Sequence, residues 1–470
     1  MQGKFLRGVK NNMEEDIRKD IAWAQINKDV LDSMESPRKT YWVIVASCAV
    51  LVVAAIIAYS FQYRYGLGEA KLNRPQMWGP YIANFIFWVG VSHAGTLLSA
   101  ALFITNSEWR RPIYRSAEAM TTCALMTAGL FPILHLGRVW DVYWTMPLWN
   151  QRELWPNFRS PLIWDLTAIF TYLNCSMLFL YYGMIPDLAI YRDKARGWRK
   201  KLYTAMALGW TGTDRQWRNF RKGYLMLACF LLPLAISVHS VVSADFAMSN
   251  VPGWHITSFP PYFVAGALYS GCAGIISLFI ILRYTFRFEE YLTQPILDKL
   301  CKLTFAICMV WSYLNLVEYA SVFYGQDMYE MGVIKEKMYG VYAPFWWFMI
   351  VGGTFLPFGL LFPAIRKNYT VLMILSLLLN LVMWLERWMI LAPSLAHGHE
   401  PYGWGYKWPS AIEMIITLGS FGWFTLLFLA FVKIFPSVSM YEIKEMLFEH
   451  RHVSDRLVRD PRSHPEPVKP

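Results

Sequence analysis

Ten times along the chain, a run of about 20 mostly apolar residues is bounded by short polar stretches. The runs lie near 42–62, 80–104, 117–140, 161–185, 224–246, 262–283, 301–324, 343–365, 370–391 and 411–433. Each is long enough for an α-helix to cross the hydrocarbon layer at about 1.5 Å per residue. The pattern therefore predicts an all-α polytopic membrane protein with ten transmembrane helices. Two flanking regions read differently. Within an N-terminal arm (1–41), segment 13–34 places Ile17, Ile21, Val30 and Met34 at helical spacing, which predicts an amphipathic helix. The tail (434–470) turns polar from Pro436 and ends in PRSHPEPVKP, which predicts an extended strap or disorder.

Composition agrees with lipid as the solvent. The chain is 56% hydrophobic and 16% charged, against about 25% charged in a soluble domain. Most of its 44 Lys and Arg residues fall on one side of the ten spans, most densely in YRDKARGWRKK and RQWRNFRKG of the 186–223 loop. The positive-inside rule then puts both termini in the cytoplasm, with a bacterial inner membrane as the expected setting. The net charge of +11 reflects topology and contact with anionic lipid rather than nucleic-acid binding. The first forty residues mix acids and bases without an apolar core, so no cleavable signal peptide is expected. The outer loops are rich in Trp, Tyr, Pro and Gly and suit packing against a partner. The seven cysteines form no CxxC and no cluster or haem motif, and most lie in apolar runs as small hydrophobes.

A weak repeat runs through the spans. LHLGRVWDVYW (134–144) matches LNLVEYASVFY (314–324), HAG (93–95) matches CAG (272–274), and SPLIWDL (160–166) matches APFWWFM (343–349), in the same order at nearly equal offset. Two parallel-repeated four-helix bundles, spans 2–5 (80–246) and 6–9 (262–391), with spans 1 and 10 peripheral, account for this. In the second half His135 is replaced by Asn315, Arg138 by Glu318 and Asp165 by Phe348, which points to a special task in the first bundle.

The candidate chemistry lies there. His135 is expected about 8 Å below the outer end of span 3, Asp165 about 6 Å into span 4, and His239 about 10 Å down span 5 with Asp245 at its rim. Arg138 is expected on the His135 face of the helix. Pro132 and Pro233 should kink their helices and free a carbonyl. Ionisable groups in lipid are costly, so function is the default reading. A plain salt bridge between Asp165 and Arg138 is the alternative. A His with a carboxylate suits a quinol, whose oxidation requires two hydroxyl protons to be accepted. Trp140, Tyr143 and Trp164 could stack on the ring, and a lipid-facing gap would admit the tail. His93 could relay protons with Thr127, Tyr172 and Asn174, or serve as a hydrogen-bonded core histidine. For Glu318, Glu386 and Arg387, expected at the outer ends of spans 7 and 9, a salt-bridge network is favoured over a proton path. His255, His397 and His399 sit in outer loops as partner contacts at most. With single intramembrane histidines and no cluster motif, the chain is expected to hold no metal or redox group of its own, so electrons would leave to a partner.

SHAG…HLGRVWDVYW…SPLIWD, with the ten spans, resembles the NrfD/PsrC family of quinone-interacting membrane subunits over roughly residues 40–435. In length and in the HLGR–SPLIWD pair it is most similar to the larger such subunit of bacterial alternative complex III. The resemblance implies a quinol site at the outer side of the first bundle, with His135 and Asp165 as the key pair and menaquinol as the substrate. It also implies a periplasmic iron–sulfur subunit, a homologous membrane subunit and multihaem cytochromes c as partners. Smaller relatives anchor polysulfide or molybdenum reductases. A proton-coupled secondary transporter is the alternative from another class, but transporters place their site near the midplane.

Overall fold

The computed structural model describes residues 23–72, 79–146 and 161–446. Among them ten helices are long and apolar enough to cross a membrane, and no strand occurs. We number these α1 (Lys39–Tyr65), α2 (Pro80–Ile104), α3 (Tyr114–His135), α4 (Pro161–Lys194), α5 (Asp214–Ala247), α6 (Phe259–Thr285), α7 (Gln294–Gly325), α8 (Ala343–Leu361), α9 (Tyr369–Ala396) and α10 (Ala411–Ile434). Most outrun the apolar runs, because a helix continues past the lipid boundary once its ends are capped. Thr213 and Gln216 form a capping box that starts α5 ten residues before the apolar stretch, whereas the capping box of Ser410 and Glu413 starts α10 at the first residue of its run. α9 extends to Ala396, so Glu386 and Arg387 sit well inside the bundle rather than at its end. α3 does the opposite and stops at His135.

α2 and α6 pack side by side at the centre. Small residues make this approach possible. A Cβ on Gly271 would lie 2.4 Å from Ala94 Cβ, and one on Gly95 would lie 2.0 Å from Thr121 Oγ1 of α3. α4 pairs with α5, α6 with α7 and α9, and α8 with α9. α1 and α10 form a separate pair, joined where Gly419 meets Ala55. α1 buries only Tyr41, Cys48, Ala58 and Gln62.

Both terminal segments lie on one face. Residues 23–35 are helical and bury Ile26, Val30 and Met34; Ile17 and Ile21 lie outside the described residues. The tail is not a loose strap over its described part. Residues 440–446 are helical, Val438, Met440 and Ile443 are buried, and Lys444 Nζ donates to Asn27 Oδ1 at 2.7 Å. Its polar residues find buried partners: Glu442 pairs with Arg110 at 3.1 Å, and Ser439 Oγ donates to Asp187. The PRSHPEPVKP end lies outside the described residues.

Candidate functional site

The end of α3 is set by its sequence. Pro132 has no N–H for the carbonyl four residues back, and the helix is interrupted at Gly129. It resumes over Leu130–His135 and then stops, with Leu136 extended and Gly137 against Leu67. Arg138 is thus outside the helix and exposed, followed by a short 3₁₀ segment, Val139–Thr145. This corrects two expectations. His135 and Arg138 do not share a helix face, and Arg138 makes no ion pair with Asp165. Trp140 and Tyr143, 62% and 45% exposed, project from the surface instead of enclosing a ring. Trp164 is partly buried near the start of α4.

His135 sits in a polar ring that the apolar pattern did not reveal. Its Nδ1 is buried with no hydrogen-bond partner among the described residues. Lys407 lies within electrostatic range of it and pairs with the fully buried Glu413 at 3.0 Å. Burial pulls the Lys407 ammonium below the usual lysine range, and the Glu413 carboxylate works against this. Gly79 lets the pair approach its backbone: a Cβ there would lie 2.7 Å from Glu413 Oε1. From α1, Gln62 donates to the Leu134 carbonyl at 2.9 Å and accepts from Tyr81 Oη.

Asp165, near the start of α4, and Asp245, near the end of α5, meet carboxyl to carboxyl. Asp165 Oδ1 and both oxygens of Asp245 are buried without a donor among the described residues. With no donor beside them among the described residues, these oxygens stand open to a proton or to a ligand that brings one. His135 and Asp165 make no hydrogen bond to each other. The structure gives Asp165 a different primary partner from the one its sequence spacing implied.

His239 lies deeper and joins His93 rather than the two acids, with ring centroids 4.6 Å apart. His93 Nδ1 and Nε2 are each 2.7 Å from a carbonyl oxygen, of Val89 and Ala235, so the ring ties α2 to α5. The Tyr172 ring lies 5.2 Å from that of His93, tilted by 42°, and its hydroxyl bonds Thr96 at 2.5 Å. Two expected relay members drop out. Asn174 is exposed and bonds the Phe170 carbonyl, and the Thr127 hydroxyl is spent on Cys123 of its own helix. Both side chains bond a carbonyl of their own helix. Arg387 pairs with its neighbour Glu386 at 3.1 Å and donates to the Phe263 carbonyl. Glu318 is buried near Glu386 and Lys337, without an ion pair closing it into a network. His255 and His399 bond loop carbonyls, and His397 lies 3.8 Å from Glu336; they fasten loops of this chain.

Sequence reasoning missed Gln62, Tyr81, Lys407 and Glu413 around His135. It also missed a buried cluster near the terminal face, where Tyr224 donates to Glu118 at 2.8 Å and Arg115 pairs with Asp187 at 3.2 Å. An acid inside YRSAEAMTTCALM was the available signal, but Glu118 fell at the rim of the assigned run.

With the geometry in place, comparison with known proteins identifies the architecture. The profile of the family described as polysulphide reductase, NrfD, matches residues 68–397, well over half of the chain, and the chain belongs to that family. It is 26% identical to a protein of Halobacterium salinarum named as the "Putative dimethyl sulfoxide reductase membrane subunit", over 83% of this chain and 89% of the relative. It is 22% identical to a selenate reductase subunit of Mesobacillus selenatarsenatis, over 85% and 94%. It is also 22% identical to an Hdr-like menaquinol oxidoreductase integral membrane subunit of Archaeoglobus fulgidus, over 87% and 96%.

Proposed function

We propose that this chain is the quinone-interacting membrane subunit of an oxidoreductase complex and oxidises menaquinol at the end of the bundle opposite its termini. The observation that carries this is the set of buried, unpartnered polar atoms at that end: His135 Nδ1, Asp165 Oδ1 and both oxygens of Asp245. Buried polar groups without partners are rare in a finished fold and fit a ligand that supplies the missing hydrogens. A quinol supplies two hydroxyls. In this reading His135 takes one proton and the Asp165–Asp245 pair takes the other, each as a general base. Because the two acceptors are not bonded to each other, each is free to face its own hydroxyl. The two electrons pass to an iron–sulfur subunit docked on the same end, where Trp140, Trp144, Trp404 and Trp408 leave aromatic surface exposed. The menaquinol oxidoreductase relative supports this direction.

The finer reading is a subunit of the alternative complex III type in a bacterial inner membrane, with both termini cytoplasmic. A second NrfD-like subunit and multihaem cytochromes c would share the assembly, and quinol oxidation would be coupled to proton translocation. Two relatives are named as subunits of reductases and favour the second reading, an anchor that delivers electrons from quinol to a molybdenum or related reductase. Both readings use the same site and differ in the partner.

Substitution tests the site directly. In the purified complex, H135A and D165N should each lower menaquinol oxidation by about 10²–10⁴-fold, the range for loss of a positioned base. Subunit stoichiometry should remain intact. Full activity in both variants would refute the assignment.

A further inference from the structure

A cavity of about 260 Å³ lies between α1, α3 and α10, walled by Val52 and Ile56 of α1, Leu130 and Leu134 of α3, and Ile416 and Gly419 of α10. Its surface is almost wholly apolar. It opens sideways, since Ile56 and Leu130 are 60% and 36% exposed on the flank of the bundle. Its upper end is the last turn of α3. The Leu134 carbonyl there accepts from Gln62, and the next residue is His135. The groove thus runs from the lipid-facing flank to the turn that presents the unpartnered imidazole.

The gap has a structural cause. Gly419 and Gly422 draw α10 onto α1, where their Cβ atoms would lie 2.2 Å from Ala55 Cβ and 2.9 Å from the Cys48 carbonyl. α3 cannot follow them, because it is interrupted at Gly129. Two of the three walls, α1 and α10, lie outside the region matched by the NrfD family.

We propose that this groove holds the isoprenoid tail of the quinol, an inference that rests on the His135 site being the quinol site. Charge favours this occupant over a phospholipid acyl chain. The roof of the groove is the uncharged Gln62–Tyr81 pair, and the nearby Lys407 is already neutralised by Glu413. No charged side chain lines the groove among the described residues, and a neutral quinol head can pass from the apolar walls to the imidazole. The apolar walls supply binding without orientation, and the polar ring at His135 supplies the orientation.

The test compares two substrates in the intact complex reconstituted in liposomes. V52F and L130W narrow the groove without touching His135 or the two acids. With long-chain menaquinol, KM should rise about tenfold or more, as for lost fit in an apolar pocket. With a tail-less dimethylnaphthoquinol, KM and kcat should stay at wild-type values. Equal loss with both substrates, or no loss with either, overturns the groove assignment. H135A serves as the separate control: if it spares oxidation of the tail-less quinol, the site reading fails and not merely the groove. A menaquinone with a photoreactive group on its tail should label peptides of α1 and α10 and be competed by native menaquinone. Labelling that only phospholipid competes would overturn the proposal.

Discussion

At the scale of single residues, the pairing of Asp165 with Asp245 carries a distinct expectation. A hydrogen bond between two carboxyl groups exists only while one of them is protonated. In the proposed site the two acids share a proton, so D245N, which supplies a permanent amide donor, leaves Asp165 a partner and its ability to accept a proton. Its menaquinol oxidation rate should fall by less than about tenfold, against the 10²–10⁴-fold expected for D165N, which removes the base itself. D245L, which offers no donor, should fall towards the D165N rate. Steady-state quinol oxidation in the three variants checks the order, and D245N as inactive as D165N would show that both acids accept protons. The candidate groups of the proposed site stand out in the sequence, because His135, Asp165, His239 and Asp245 interrupt apolar runs where charge is expensive. Their partners were not. Depth along a helix can be counted from the sequence, but azimuth around it cannot once a helix breaks, and Gly129 and Pro132 break α3 just before His135. Gln62 and Tyr81 resembled ordinary interfacial residues at the ends of spans.

At the scale of elements, small residues decide how the helices approach. HAG and CAG stand at matching places in the two halves of the chain; in the structure Gly95 lies where α2 meets α3, Gly271, just before CAG, lies where α6 meets α2, and Gly274 faces Met120 of α3 and Asn380 of α9. A Cβ on Gly95 would meet Thr121 Oγ1 at 2.0 Å and the Ala117 carbonyl at 2.2 Å, so G95A must force α2 and α3 apart. Overpacking of this kind costs about 1–3 kcal/mol. Gly332, in the surface helix Met328–Tyr339, has no heavy atom within 4 Å of such a Cβ and no positive φ. G332A should be neutral or slightly stabilising, since alanine is the better helix former by about 1 kcal/mol. Thermal unfolding in detergent should therefore lower the midpoint for G95A and leave G332A at or above wild type. The existence of all ten spans was legible from apolar length alone. Their ends were less so, because caps such as Thr213–Gln216 act beyond the lipid boundary and carry no hydropathy signal. The ordered tail was illegible for a related reason. Ser439 and Glu442 read as solvated residues until Asp187 and Arg110 appear beside them.

At the scale of the whole molecule, the buried polar groups form a line from the terminal face into the interior of the bundle. On the terminal face a cavity of about 780 Å³ reaches Tyr224 and Glu442. Tyr224 bonds Glu118, whose second oxygen has no partner among the described residues, as is true of Ser99 Oγ and Ser176 Oγ beside it. These three groups border one small cavity together with Thr96 and Thr121. The void is too small to hold a water as it stands, so a proton crossing between Glu118 and Thr96 requires these side chains to move apart. From Thr96 the line continues through Tyr172 to His93 and His239, then to Arg387 and Glu386 in the second half. The sequence had offered His93, Tyr172, Glu386 and Arg387 for such a path, without the lower part that Glu118 supplies. If protons cross along this line, Glu118 is its entry and is remote from the quinol site, so E118Q separates transport from oxidation. In complex reconstituted into vesicles with an entrapped pH dye, the wild type should move more protons per quinol than the two released by oxidation. E118Q should keep its electron-transfer rate within about tenfold while its yield drops to those two, because a glutamine still accepts the Tyr224 hydrogen bond but cannot carry a proton. A wild-type yield of only two protons, or an E118Q yield equal to wild type, would leave the polar line a structural feature of the bundle and remove proton translocation from the proposed function.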